Sequence, residues 1–240
     1  MAGSLLDVKE NNVSGFASDQ PVVSTQWLED HLGDSGIVVL DASVFLDPPI
    51  APLRVGEFRS GLDHFQKDGH ISTARFADLF TEFSDPDASF PFTRPTYEQF
   101  ERAAGSLGIT ADTHVVIYDK LVGQWASRLW WVFRNAGHPY VSILDGGYRK
   151  YVEEGRVIRK GPPAPYIQTK YIGAGERVIV ATEKDVIDVV ERRRRGRLVC
   201  LLQPELEPSG AVPVTFPAAS IYLSQSCLTS PIILLNRRMN

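Results

Sequence analysis

The chain is predicted to be an α/β protein with a parallel sheet flanked by helices, and three observations predict it. Short β-branched apolar runs occur at 37–41, 114–118 and 141–144, without the in–out alternation of a one-sided sheet, as expected of strands covered on both faces. Stretches with helix caps and glycine stops lie between them, and strands alternating with helices at this spacing build a parallel sheet. Finally, 43% hydrophobic and 22% charged residues over 240 positions is ordinary globular composition, enough for one large domain or two smaller ones.

The elements follow in order. Ser24 is placed to cap a helix over 25–32, with Val23 and Leu28 spaced for a hydrophobic staple. After Gly36 comes the strand 37–41, closing in Asp41. A stretch rich in Pro and Gly, 47–69, reads as irregular, and a short strand is expected over 74–76. Thr96 opens a second helix, with Gln99 completing a capping box, and Gly108 stops it after Leu107. Strand 114–118, a loop over 119–126 and a helix over 127–136 ending at Gly137 come next. The strand 141–144, an Asp145-Gly146-Gly147 turn and a helix over 148–154 complete the set.

Gly161-Pro162-Pro163-Ala164-Pro165 has the composition of a stiff linker. Beyond it the chain starts again: a cap at Thr182, a helical run, Gly196 and an apolar run over 197–202 echo Thr25, the first helix, Gly36 and the first long strand, at an offset of about 160 residues.

Net charge is −4, so no global basic field points to nucleic acid or anionic membrane. No apolar run is long enough to span a bilayer. Residues 1–20 hold one Lys, no Arg and three acids, a flexible polar leader and not a secretory or transit signal. Cytoplasm or mitochondrion is the expected compartment. The cysteines are Cys200 and Cys227, expected as free thiols, and no His/Cys cluster has metal spacing, so neither metal nor cofactor is expected.

Several segments in this order resemble the N-terminal domain of tandem-rhodanese sulfurtransferases, the family of thiosulfate and 3-mercaptopyruvate sulfurtransferases. They are Val39-Leu40-Asp41-Ala42-Ser43, Gly69-His70-Ile71, Val115-Val116-Ile117-Tyr118-Asp119, the run from Ser127 to Arg134, Gly137-His138 and Leu144-Asp145-Gly146-Gly147. The resemblance implies a rhodanese-like domain over 21–156, a linker over 157–177 and a partial second copy over 178–240. It also implies a chemistry: a cysteine thiolate at a strand end, cradled by loop N–H groups and a helix N-terminus, takes sulfur from a small donor anion as a persulfide and passes it on.

The nucleophile is missing where the resemblance requires it. The first copy places Asp119 at the strand end, where a carboxylate would itself accept the loop N–H bonds and repel a donor anion. Asp119, Lys120, Gly123, Ser127 and Arg128 thus read as a degenerate active-site loop. In the second copy, the spacing of the first runs past Asn240 and leaves Cys227 level with Gly69-His70-Ile71; an alternative register over 231–235 puts Asn236 at the cysteine position. Cys227 has no glycine after it, Cys200 sits in an apolar run, and the segment 203–220 holds no Arg or Lys to bind a substrate carboxylate. The expectation is a truncated or degenerate sulfurtransferase that is inactive alone, or a non-catalytic module with a protein partner.

His70 matches a family histidine credited with proton transfer, with Asp63 as its acid and Asp68 as the alternative. Trp130 and Trp131 read as core packing, and Arg192 to Arg195 with Arg197 as a solvated face at a helix C-terminus.

Overall fold

The computed structural model describes residues 20–48 and 56–177, positions 180, 181, 184, 187 and 188, and strand segments 199–201, 220–222 and 232–236. The polar leader up to residue 19, the arginine run and Cys227 lie outside the described residues. The chain divides into two compact units at Arg177.

In the first unit β1 (Val22–Val23) leads through α1 (Thr25–His31) to β2 (Ile37–Asp41). Ser24 caps α1 as predicted, its hydroxyl accepting from the Trp27 N–H at 3.0 Å. A hairpin of β3 (Val44–Leu46) and β4 (Phe58–Ser60) follows, then α2 (Leu62–Lys67), β5 (His70–Ile71) and β6 (Arg75–Phe76). Next come α3 (Tyr97–Ser106), β7 (His114–Tyr118), α4 (Gln124–Asn135), β8 (Val141–Leu144), α5 (Gly147–Glu153) and β9 (Ile158–Arg159). The main sheet has the order β1-β8-β7-β2-β6, with every pairing parallel.

Both faces of this sheet are covered. Val38 and Leu40 of β2 with Val115 and Ile117 of β7 face a core shared with Phe100, Leu129 and Phe133 of α3 and α4. Val39, Val116 and Tyr118 point the other way, into a core with Leu28, Phe65 and Tyr151 of α1, α2 and α5. Adjacent residues therefore enter opposite cores, which is why these strands read as unbroken apolar runs.

Away from the β7–α4 loop, the structure departs from the sequence reading of the elements at the following points. The stretch 47–69, read as irregular, contains β4 and α2, whose Phe65 is fully buried. The capping box is only half formed: the Thr96 hydroxyl accepts from the Gln99 N–H at 3.2 Å, but the Gln99 amide donates instead to the Thr81 and Ser84 carbonyls, at 3.0 and 2.7 Å. The stretch read as a linker lies against the first unit. There β9 pairs antiparallel with β5, Thr169 N–H donates to the Gly105 carbonyl at 2.9 Å, and Tyr171 is 2% exposed.

The described strands of the second unit are β10 (Val199–Leu201), β11 (Ser220–Tyr222) and β12 (Ile232–Asn236). They form a sheet of order β10-β12-β11 with both pairings antiparallel, so the strand reaching Asn236 does not repeat the parallel setting of β7.

Candidate functional site

The chain leaves β2 toward one edge of the sheet and β7 toward the other. Such a reversal opens a crevice at the carboxyl ends of the two strands, the place where open α/β sheets put their functional loops. Here Asp41 and Tyr118 are register partners. The residues that follow them meet: the Ala42 N–H donates to the Tyr118 carbonyl at 2.9 Å, and the Lys120 N–H to the Ser43 hydroxyl at 3.0 Å.

The loop between β7 and α4 folds around the Asp119 carboxylate, which is 1% exposed. Its Oδ1 accepts from the N–H groups of Leu121 and Gly123 at 2.8 and 3.0 Å; its Oδ2 accepts from those of Trp125 and Ala126, both at 3.0 Å. Four convergent donors and the positive end of a helix make an anion nest, and the chain fills it with its own side chain. Gly123 closes the turn at φ 89°, a left-handed conformation that glycine adopts without penalty. The same bonds explain why α4 begins at Gln124, three residues before the predicted start. The carboxylate takes the N–H donors of its first turn, a capping role played from a distance in sequence that no cap residue signals.

Beneath the loop lies a polar layer. Asp41 is fully buried; its Oδ1 accepts from the Ser43 N–H and hydroxyl at 2.9 and 2.5 Å, and Oδ2 accepts no well-formed bond, with the Tyr118 hydroxyl beside it. Burial raises the Asp41 carboxyl to about 6, against the opposing pull of the Ser43 bonds and the Lys120 charge. Lys120 reaches across to the His64 and Gly69 carbonyls at 2.8 and 2.5 Å and lies 4.6 Å from the Tyr148 ring centre. Its own proton affinity is lowered by burial and partly restored by Asp41 and Asp68.

The remaining predicted residues are placed as follows. His70 is buried and stacked on Phe65 at 3.8 Å, with Nδ1 3.0 Å from the Phe65 carbonyl; burial holds it toward its neutral form. The acids proposed beside it are engaged elsewhere: Asp63 is exposed and pairs with Lys67 at 2.9 Å, and Asp68 with His64 at 2.5 Å. A turn of helix intervenes where the sequence suggested irregular chain, so these acids serve α2. Ser127 is exposed on α4, and Arg128 donates to the Phe92 carbonyl at 2.5 Å and sits 4.9 Å over Trp131. Trp130 and Trp131 both pack against the core shared by α3 and α4, with the Trp130 indole donating to the Val141 carbonyl at 3.0 Å. Among the described residues no group of His, Cys, Asp and Glu could hold a metal. Sequence reasoning passed over Asp41 and Ser43 as a working pair. The available signal was a carboxylate ending an apolar strand, with a hydroxyl two residues on.

Comparison with known proteins agrees with this architecture. The family model described as rhodanese-like domain matches residues 24–154. The thiosulfate sulfurtransferase of Cricetulus griseus is 31% identical over 189 residues, covering 73% of this chain and 60% of that protein. The 3-mercaptopyruvate sulfurtransferase of Rattus norvegicus is 32% identical over 230 residues, covering 88% of this chain and 73% of the relative. Among solved structures, SseA of Escherichia coli, described as a 3-mercaptopyruvate sulfotransferase of rhodanese fold, superposes with a TM-score of 0.60 at 26% identity, covering 72% of this chain and 63% of its own. The chain thus spans about three fifths of the length of the first of these relatives. A parallel sheet with a cradle loop at its switch point, a family model over more than half the chain and relatives of this similarity place the chain in the rhodanese-like family, among homologues that are thiosulfate and 3-mercaptopyruvate sulfurtransferases.

Proposed function

We propose that residues 21–156 are the non-catalytic rhodanese-like domain of a protein of the sulfurtransferase type, with 178–240 a partial second copy, and that the chain as given transfers no sulfur alone. The observation that carries this reading is the cradle filled by Asp119. A carboxylate oxygen cannot bear a transferable sulfur atom, and its charge opposes an incoming donor anion at the N–H cradle itself. Both cysteines, Cys200 and Cys227, follow the first unit, so its own residues hold no thiol. The substrates of an active form would be small sulfur-donor anions, with no cofactor, in the cytoplasm or mitochondrion. No helix among the described residues is long and apolar enough to cross a membrane.

A second reading, a binding or regulatory module, is favoured by exposed apolar side chains on the β3–β4 hairpin and the cradle loop. Leu46, Phe58, Leu121 and Val122 are 54%, 36%, 39% and 81% exposed. Both readings are tested by thiocyanate formation from cyanide, with thiosulfate and separately 3-mercaptopyruvate as donor, on wild type and Cys227→Ala. Inactivity with both donors is expected. Turnover that disappears in Cys227→Ala would overturn the proposal and place the working thiol in the second unit.

A further inference from the structure

Arg128 stands out among the charged groups of the first unit. It is largely withdrawn from solvent on α4, its Nη2 donates to the Phe92 carbonyl, and its Nε–H is buried with no acceptor. Among the described residues no carboxylate forms an ion pair with it, and the charge acting on it is another cation, Arg94. Burial and that neighbour together lower Arg128 to about 10, far below a solvated guanidinium. A guanidinium held in this way is ordinarily paired, because desolvation without a counter-charge is unfavourable.

The backbone holds the two arginines together. Phe92 adopts φ 60°, the one described non-glycine residue in the left-handed region. Its ring packs on Trp125, Phe80 and Phe58 at centroid distances of 4.8, 5.0 and 5.3 Å, while its carbonyl meets Arg128. Two residues on, Arg94 is half-exposed and ion-paired to Glu176, whose Oε1 also accepts from the Asn135 amide at 3.0 Å. Glu176 thus serves two donors and leaves Arg128 uncompensated. Strained backbone kept by its surroundings is a recurrent mark of ligand clamps. With Nε buried and Nη2 bonded to Phe92, an oxyanion meets Arg128 from its Nη1 side together with the half-exposed Arg94, and planar guanidinium groups suit its paired oxygens.

We infer that Arg128 and Arg94 form a binding site for a small oxyanion of the carboxylate or sulfate class, with Trp131 as its aromatic floor and Glu176 as the internal carboxylate that competes for Arg94. The site is separate from the Asp119 nest and does not depend on the chain's transferring sulfur.

The test follows the Arg Nε–H resonances of the full chain by NMR during titration with sodium sulfate and, separately, sodium formate, at constant ionic strength held with chloride. The Arg128 resonance is expected to shift saturably, with half-saturation at about 1 mM. Arg128→Lys is expected to weaken binding by about tenfold and Arg94→Gln by about threefold. Glu176→Gln, which frees Arg94, should tighten it by about threefold. If Arg128→Lys fails to fold, the opposite effects of Arg94→Gln and Glu176→Gln still decide the question. A shift linear in salt, or binding unchanged in Arg94→Gln and Glu176→Gln, overturns the proposal; saturation by one anion and not the other selects between sulfate and carboxylate.

Discussion

At Asp119 one side chain determines whether an anion nest is occupied or available. The four N–H groups point at the carboxyl group as a whole, and a cysteine would place its sulfur one bond from Cβ, close to where the carboxyl carbon now lies. Asp119→Cys is therefore expected to yield a thiol with a midpoint well below the ordinary value of about 8.5, because the nest and the α4 N-terminus favour the thiolate. Alkylation by iodoacetamide as a function of pH, read by peptide mass spectrometry with Cys200 and Cys227 as internal references, measures it. A midpoint at or above the ordinary value would show that the nest does not survive the substitution. Asp41 gives a pH dependence of defined sign. Its carboxyl is raised from 3.8 to about 6, so the folded state binds the proton more tightly than the unfolded chain. Its contribution to stability is present in full below about 3.8 and is lost as pH rises through about 6, a difference of about 3 kcal/mol. Urea unfolding of Asp41→Asn between these pH values should show a more positive slope of stability against pH than wild type. Parallel profiles would mean that Asp41 titrates normally.

The elements show how distant partners override local signals. The helix α4 starts early because Asp119, ahead of the loop, takes its first N–H groups, and α2 forms in a stretch whose Pro and Gly content reads as irregular. The strap 166–177 follows a segment of linker composition at 161–165, yet it docks through Tyr171, whose hydroxyl meets His138 Nδ1 at 3.1 Å. The Thr113 carbonyl, 3.0 Å from Nε2, can only accept, so Nε2 carries the proton and Nδ1 accepts from the tyrosine. Burial lowers His138 to about 4, which keeps this neutral tautomer in place at ordinary pH. Tyr171→Phe leaves Nδ1 buried without a donor and is expected to destabilise the fold by about 1–2 kcal/mol in urea unfolding. A loss below a few tenths would show that the hydroxyl is not what fastens the strap.

For the whole molecule, the division at Arg177 sets where a stable core should end. Limited proteolysis of the full chain is expected to leave a fragment that extends past Tyr171, because Thr169, Tyr171, Glu176 and Arg177 are all bonded to the first unit. A first stable product ending near the Pro162-Pro163 segment would contradict this, and would restore to 157–177 the linker role its composition suggests.

The main strands and three of the five described helices could be read from the sequence to within a residue or so, since burial on both sheet faces leaves unbroken apolar runs and caps act within four residues. The family was legible for a related reason: its marks are local segments in a fixed order, and Asp119 at the end of β7 lies in one of them. The loop's closure around that carboxylate, the Asp41–Ser43–Lys120 layer, the engagement of Asp63 and Asp68 on α2, and the Arg128–Arg94 pair were not legible. Ser43 and Lys120, or Phe92 and Arg128, are joined across 77 and 36 positions, where no periodicity or cap rule reaches. The sequence determined which segments become strands and helices and that the β7 strand ends in a carboxylate. The tertiary structure decided what that carboxylate holds and which charges are buried without partners, because hydrogen bonding and desolvation depend on which distant groups the fold brings together.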